Sequence, residues 1–260
     1  MQNTPLLHDL DEPANVLVVG ATGGIGLAFA RDLATRPAVA RLFAVARKAR
    51  ANAALNALAA QYPDRVVLLD CDIRDEAALA AMAAAIRTMT PTLNLVINTV
   101  GLLHDAALQP EKSLAQVTRA SLEASFLTNA FAPILLAKAL LPLLRHAQPV
   151  AFASLSARVG SIGDNRIGGW YSYRAAKAAQ NQLLKTLSIE LTRLNRRSIV
   201  LALHPGTTDT GLSKPFQGNV SAEKLFTPEF SATALLAVIA ARVPADSGGF
   251  YAWDGQPIGW

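Results

Sequence analysis

One junction near the start of the chain limits what it can become. Residues 15–20 (NVLVVG) form a continuous apolar run. Such a run is the mark of a strand buried on both faces, which has its place in a sheet covered by helices on either side. It passes through Gly20-Ala21-Thr22-Gly23-Gly24-Ile25-Gly26 into the helical pattern LAFARDLATR. Glycines let the backbone turn tightly and approach a phosphate group, and the amides and dipole of the helix N-terminus then stabilise its charge. This strand–turn–helix predicts a pyrophosphate cradle, with Gly20, Thr22, Gly23, Gly24, Ile25 and Gly26 as its candidate residues.

The rest of the chain repeats the alternation. Strands are expected at 41–46, 65–69, 93–98, 150–154, 198–203 and 249–253. An Ala-rich helix is expected to end at about 61, and further helices are expected at 75–88, 113–144, 170–194 and 227–242. Pro133 and Pro142 fall within 113–144, where a kink or an early end is expected. Residues 1–13 read as an irregular arm and 206–226 as a long loop with one helical turn. No repeat, linker or shift in composition marks a second domain. Strands alternating with helices predict a single-domain α/β chain with a doubly wound parallel sheet.

Composition excludes several classes. With 52% hydrophobic and 17% charged residues the 260-residue chain has a large core, but no apolar run is read as reaching the ~20 residues of a membrane span. The start has no basic segment followed by an apolar one, so no secretory signal is expected. A single cysteine, Cys71, allows no internal disulfide, and a cytoplasmic setting is expected. The net charge of +5 is dispersed, without the basic runs of a nucleic-acid binder; it suits an anionic, phosphate-bearing small ligand. Neither nucleic acid nor membrane is expected as a partner. No two of His8, His104, His146 and His204 have metal-ligand spacing, so no metal site is expected, and no Gly-x-Ser-x-Gly elbow is present.

A second constellation lies at 152–194. A short apolar strand leads through a glycine-rich loop into a long helix carrying Tyr173 and Lys177 at i, i+4, on one helical face. Tyrosine is a poor acid at neutral pH, and a nearby ammonium moves its pKa toward the working range. A hydroxyl at the strand end, Ser156, is placed to hydrogen-bond the oxygen that Tyr173 would protonate. Together they suit carbonyl–alcohol interconversion.

With the glycine spacing at Gly20, Gly24 and Gly26, Tyr173-x-x-x-Lys177 resembles the short-chain dehydrogenase/reductase family over nearly the whole chain. Its strings GSIGDN (160–165), GGWYSYR (168–174) and YAWDGQ (251–256) are similar to the C-factor/sniffer-like carbonyl reductase branch. The resemblance implies a Rossmann-type fold and further site residues. Asn98 and Gly101 match its element after the fourth strand. Asn129 matches the asparagine that holds a proton-relay water, and Pro205 and Gly206 match its element after the sixth strand. Asp72 and Ile73 would hold the adenine edge, and Tyr173 and Lys177 would also contact the cofactor. Two departures stand out. Val19 replaces the usual threonine before the first glycine, and Ser154-Leu155-Ser156-Ala157 replaces adjacent serines of which the second is catalytic. Either serine is open on orientation; Ser156, nearer the strand edge, is preferred.

At the end of the second strand stand Arg47 and Lys48, with no carboxylate. An acidic residue there suits the free ribose diol of NAD, whereas arginine accommodates the 2′-phosphate of NADP. NADPH is therefore expected over NADH. The combined expectation is NADPH-dependent reduction of a small-molecule carbonyl (ketone, aldehyde or quinone), with Tyr173 as proton donor. The rival is an NADP(H)-binding regulatory or signalling protein with little turnover. The family resemblance implies pairing through the two long helices, as a homodimer or homotetramer, with a monomer left open as some members are monomers.

Overall fold

The computed structural model describes residues 6–106, 108–219 and 221–260. Seven strands, β1 (Ala14–Val19), β2 (Val39–Ala46), β3 (Val66–Asp70), β4 (Leu95–Asn98), β5 (Val150–Leu155), β6 (Ser198–His204) and β9 (Gly249–Ala252), form one sheet. Their order is β3-β2-β1-β4-β5-β6-β9, and every pairing is parallel. The order reverses between β1 and β4, the crevice where open α/β sheets bind ligands.

Alternate residues of each strand face opposite cores. Val16, Val18, Leu95, Ile97, Ala151 and Ala153 pack under α1 (Gly24–Thr35), α2 (Ala53–Gln61) and α7 (Pro228–Ala240). Leu17, Val19, Val96 and Phe152 pack under α3 (Glu76–Met89), α5 (Ala132–Leu144) and α6 (Tyr171–Leu194). The same parity turns Asn98 and Ser154 toward the second core, and the two are register partners across β4 and β5. Helix starts follow their caps: Asn52, Asp75 and Thr227 each accept a backbone N–H with the side chain.

The expected helix 113–144 is broken. After a short 3-10 turn at Leu114–Gln116, α4 (Arg119–Phe126) runs through a π turn at Leu127–Phe131 into α5. Taken as one element, Arg119–Leu144 is long and apolar enough to cross a membrane, which corrects the count made from sequence. Its apolarity is committed to the sheet, where Leu136, Leu140 and Leu143 are buried. The long loop is also more ordered than expected. Its ends zip together as β7 (Thr207–Thr208) and β8 (Leu225–Phe226), and it holds 3-10 turns at Lys214–Asn219 and Ala222–Lys224; Val220 lies outside the described residues. The described part of the arm is not free, since Leu6 and Leu7 are buried in the first core.

Candidate active site

The turn after β1 is built to receive a phosphate group. Gly26 packs so closely that a Cβ there would overlap the Gly20 carbonyl oxygen. At the start of α1, Gly23 is the cap without a side-chain hydrogen bond, and the first turn holds no acidic residue. The helix N-terminus thus keeps its positive end and free amides for an anion. A cavity of about 450 Å³ opens over it. Gly20, Thr22 and Gly23 line its centre, Arg47, Asp72, Ile73 and Arg74 one end, and Gly101, Leu102 and His104 the other. The residues present therefore fit a dinucleotide, from a cationic adenosine end to the tip of β4.

Arg74 was not singled out from sequence. Its Nη2 lies 2.6 Å from Asp72 Oδ2. That hydrogen bond, with a smaller contribution from Arg47, holds the Asp72 carboxyl below its ordinary range. Only folding of the turn after β3 brings this second cation beside Arg47.

Beyond the cavity lies the Tyr–Lys pair. Tyr173 stands in the first turn of α6 and Lys177 one turn on, with Nζ 5.8 Å from the Tyr173 ring centre. The Tyr173 hydroxyl has no hydrogen-bond partner among the described residues, and burial pushes its pKa up. Burial pushes Lys177 down to about 7. Its Nζ donates to the Leu155 carbonyl (2.9 Å) and to Gln180 Oε1 (2.8 Å). The lowering of the Tyr173 pKa expected from sequence is outweighed here by desolvation of the buried hydroxyl.

Asn129 sits in the π turn and is fully buried. Its Oδ1 accepts from Leu102 N (2.9 Å), and its Nδ2 donates to the Leu102 carbonyl (2.7 Å). Its side chain therefore clamps the loop after β4. Pro133, four residues on, has no N–H for the Asn129 carbonyl, which loses its α-helical donor. A Cβ on Gly101 would lie 3.5 Å from Asn129 Oδ1 and 3.7 Å from Lys177 Nζ, so these side chains converge on Gly101. Asn98 works from behind: its Nδ2 donates to Ser154 Oγ (2.9 Å) and its Oδ1 accepts from Val100 N (3.2 Å).

The two serines differ. Ser154, within β5, accepts from Asn98 and from Gln180 Nε2. Ser156, just past the strand, donates through Oγ to Asn181 Oδ1 (2.7 Å). Asn181 lies about 12 Å along α6 from Tyr173 at 1.5 Å per residue, so the Ser156 hydroxyl bonds well beyond the tyrosine.

The loop after β6 covers this end. Phe216 packs edge-on to Trp170 (5.1 Å) and His104 (5.7 Å), and Trp170 packs edge-on to Tyr173 (6.3 Å). His104 Nε2 lies 3.1 Å from the Leu212 carbonyl and 3.2 Å from that of Gly211. The cavity consequently stops at Gly211 and Leu212 without reaching Tyr173, Lys177, Pro205 or Gly206. Gly206 carries a φ of 75° at the loop's root. Trp170, itself at φ 51°, is anchored by its N–H to the Glu111 carbonyl (2.5 Å). His104 and Phe216 had no signal in the sequence; their pairing exists only once two distant loops meet.

Known proteins agree with this architecture. The family model for short chain dehydrogenases matches residues 14–220. The structure of NADPH-bound carbonyl reductase from chicken fatty liver superposes with a TM-score of 0.84 at 29% identity, over 96% of this chain and 100% of that one. Carbonyl reductase Sniffer of D. melanogaster gives 0.84 at 28% identity, over 95% and 99%. A 1-hydroxy-2-glutathionyl-2-methyl-3-butene dehydrogenase from a Rhodococcus species is 32% identical, over 95% of this chain and all of its own length. The chain is an oxidoreductase of the short-chain dehydrogenase family.

Proposed function

We propose that the protein reduces a carbonyl to an alcohol with NADPH, with Tyr173 as the proton donor. The observation that carries this reading is the unbonded Tyr173 hydroxyl one turn from a buried Lys177. When bound, the cofactor supplies the hydride. A tyrosine held protonated by burial is in the state that reduction needs, since it gives its proton to the carbonyl oxygen as the carbon is reduced. Charged Lys177 beside it stabilises the phenolate that remains and binds the nicotinamide ribose. Asn129 holds a relay water near Lys177. Ser156, turning from Asn181, polarises the substrate oxygen.

The preference for NADPH is supported by Arg47 and Arg74 at one end of the cavity, where the Asp72 carboxylate is paired with Arg74. The structural relative from chicken fatty liver is likewise NADPH-bound. Residues 206–226 serve as the substrate loop, and its Phe216 with Trp170 makes an aromatic wall that excludes water around apolar ketones, aldehydes or quinones. The setting is a reducing one, the cytoplasm, in keeping with the buried free thiol of Cys71. NADPH oxidation with a panel of quinones, diketones and aldehydes, against an NADH control, tests the reading. Turnover with NADPH above NADH is expected. A protein that binds NADPH and turns over none of the panel would favour a regulatory role instead.

A further inference from the structure

Lys177 is held by a side chain that a tyrosine–lysine pair does not call for. Gln180, one turn on and 1% exposed, accepts a hydrogen bond from Lys177 Nζ on Oε1 (2.8 Å). Its Nε2 donates to Ser154 Oγ (2.8 Å) and to the Leu155 carbonyl (3.1 Å). An ammonium only donates, so the oxygen end of the amide must face it, and the two acceptors at the nitrogen end lock that orientation. Ser154 Oγ is held in turn by Asn98 Nδ2, and Asn98 Oδ1 by Val100 N. A buried chain of hydrogen bonds therefore runs from the loop after β4 to the lysine.

We propose that Gln180 is a positioning residue for Lys177, fixing the direction of its ammonium and favouring its charged form. The proposal rests on Lys177 being the partner of Tyr173. Two ammonium protons are spent on Gln180 and Leu155, which leaves the third for the side where Gly101 lies open. No carboxylate is bonded to Lys177. The segments against α6 carry Arg119 and Glu123 (α4), Lys138 (α5), Arg158 in the turn after β5, His204 (β6) and buried Glu111, whose carboxylate accepts from Ser172; Tyr171, Tyr173, Arg174, Lys185, Glu190 and Arg193 share its helix. None of them hydrogen-bonds Lys177. Burial alone pushes it down to about 7, so the strength of a neutral acceptor decides its charge near neutrality.

The test is an NMR titration of protein labelled with ¹³Cε-lysine, with Lys177 assigned by its loss in Lys177→Met, in wild type, Gln180→Leu and Gln180→Glu. A hydrogen bond to a charged group contributes ~1.5–3 kcal/mol, or about one to two pKa units. Lys177 should titrate about one unit lower in Gln180→Leu and at least about one unit higher in Gln180→Glu. The alkaline limb of kcat for reduction, at saturating NADPH, should move the same way. Gln180→Glu keeps the shape of the side chain, so unfolding of the leucine variant would leave the test standing. Unmoved titration in a folded variant overturns the proposal. A moved titration with an unmoved rate profile upholds Gln180's hold on Lys177 and removes Lys177 from the reaction instead.

Discussion

Lys177 Nζ lies 5.8 Å from the centre of the Tyr173 ring, yet both of its hydrogen bonds go elsewhere, to Gln180 and the Leu155 carbonyl. The tyrosine is thus left protonated and unbonded, while the buried lysine is poised between charged and neutral.

That burial has a signature in stability. In the unfolded chain a lysine stays charged up to about 10.4, whereas folded Lys177 loses its proton near 7. Between those values the unfolded chain binds the extra proton, so this lysine's cost is full below about pH 7 and fades as pH rises. Lys177→Met should therefore have its largest Tm advantage over wild type at pH 6–7. The difference, variant minus wild type, should shrink steadily toward pH 10. A pH-independent difference in Tm would show that Lys177 is not buried in this way.

Arg47→Asp should move preference from NADPH toward NADH. A charge-assisted contact contributes ~1.5–3 kcal/mol, so Kd for NADPH should rise about ten- to a hundredfold by fluorescence titration. An unchanged Kd would leave Arg74 as the phosphate partner and Arg47 as a solvated surface charge.

The serines separate by assay at saturating NADPH. Ser156→Ala should lower kcat and also cost a few degrees of Tm, because it leaves buried Asn181 Oδ1 without its partner. Ser154→Ala should lower Tm by a few degrees, because it unties Asn98 and Gln180 in the interior. If Ser154→Ala alone loses turnover with its fold intact, the strand-end assignment is reversed.

Phe216→Ala removes the contact between the loop and Trp170. Edge-on aromatic pairs contribute ~0.5–1.5 kcal/mol beyond area, so KM for the carbonyl should rise up to about tenfold while Kd for NADPH holds. Equal losses in both would mean that the loop serves the cofactor instead of the substrate.

How much of this was legible follows from where each signal resides. The sheet was readable because buried parallel strands such as Ala14–Val19 and Val150–Leu155 are apolar throughout. The glycine turn and the Tyr173–Lys177 spacing are local patterns of one element. The π turn at Leu127–Phe131 was not readable, since its residues have ordinary helix chemistry and only Pro133 marks the spot. Arg74, His104, Phe216 and Gln180 were missed for a different reason. Arg74 bonds its near neighbour Asp72, but only the folded turn puts both on the cavity wall. His104 and Phe216 acquire partners from segments distant in the chain and Gln180 reaches Ser154 on β5, and no periodicity encodes such meetings. The bond from Ser156 to Asn181 is of the same kind, and it is the point at which the sequence-based role needs a side chain to turn.

The most direct measurement compares wild type and Tyr173→Phe for NADPH oxidation with the best carbonyl of the panel, alongside Kd for NADPH and a folded-state spectrum. The variant should bind NADPH and fold as wild type does, while kcat falls by about 10²- to 10⁴-fold, the range for loss of a general acid. Near-normal turnover by folded Tyr173→Phe would contradict the assignment of Tyr173 as the proton donor.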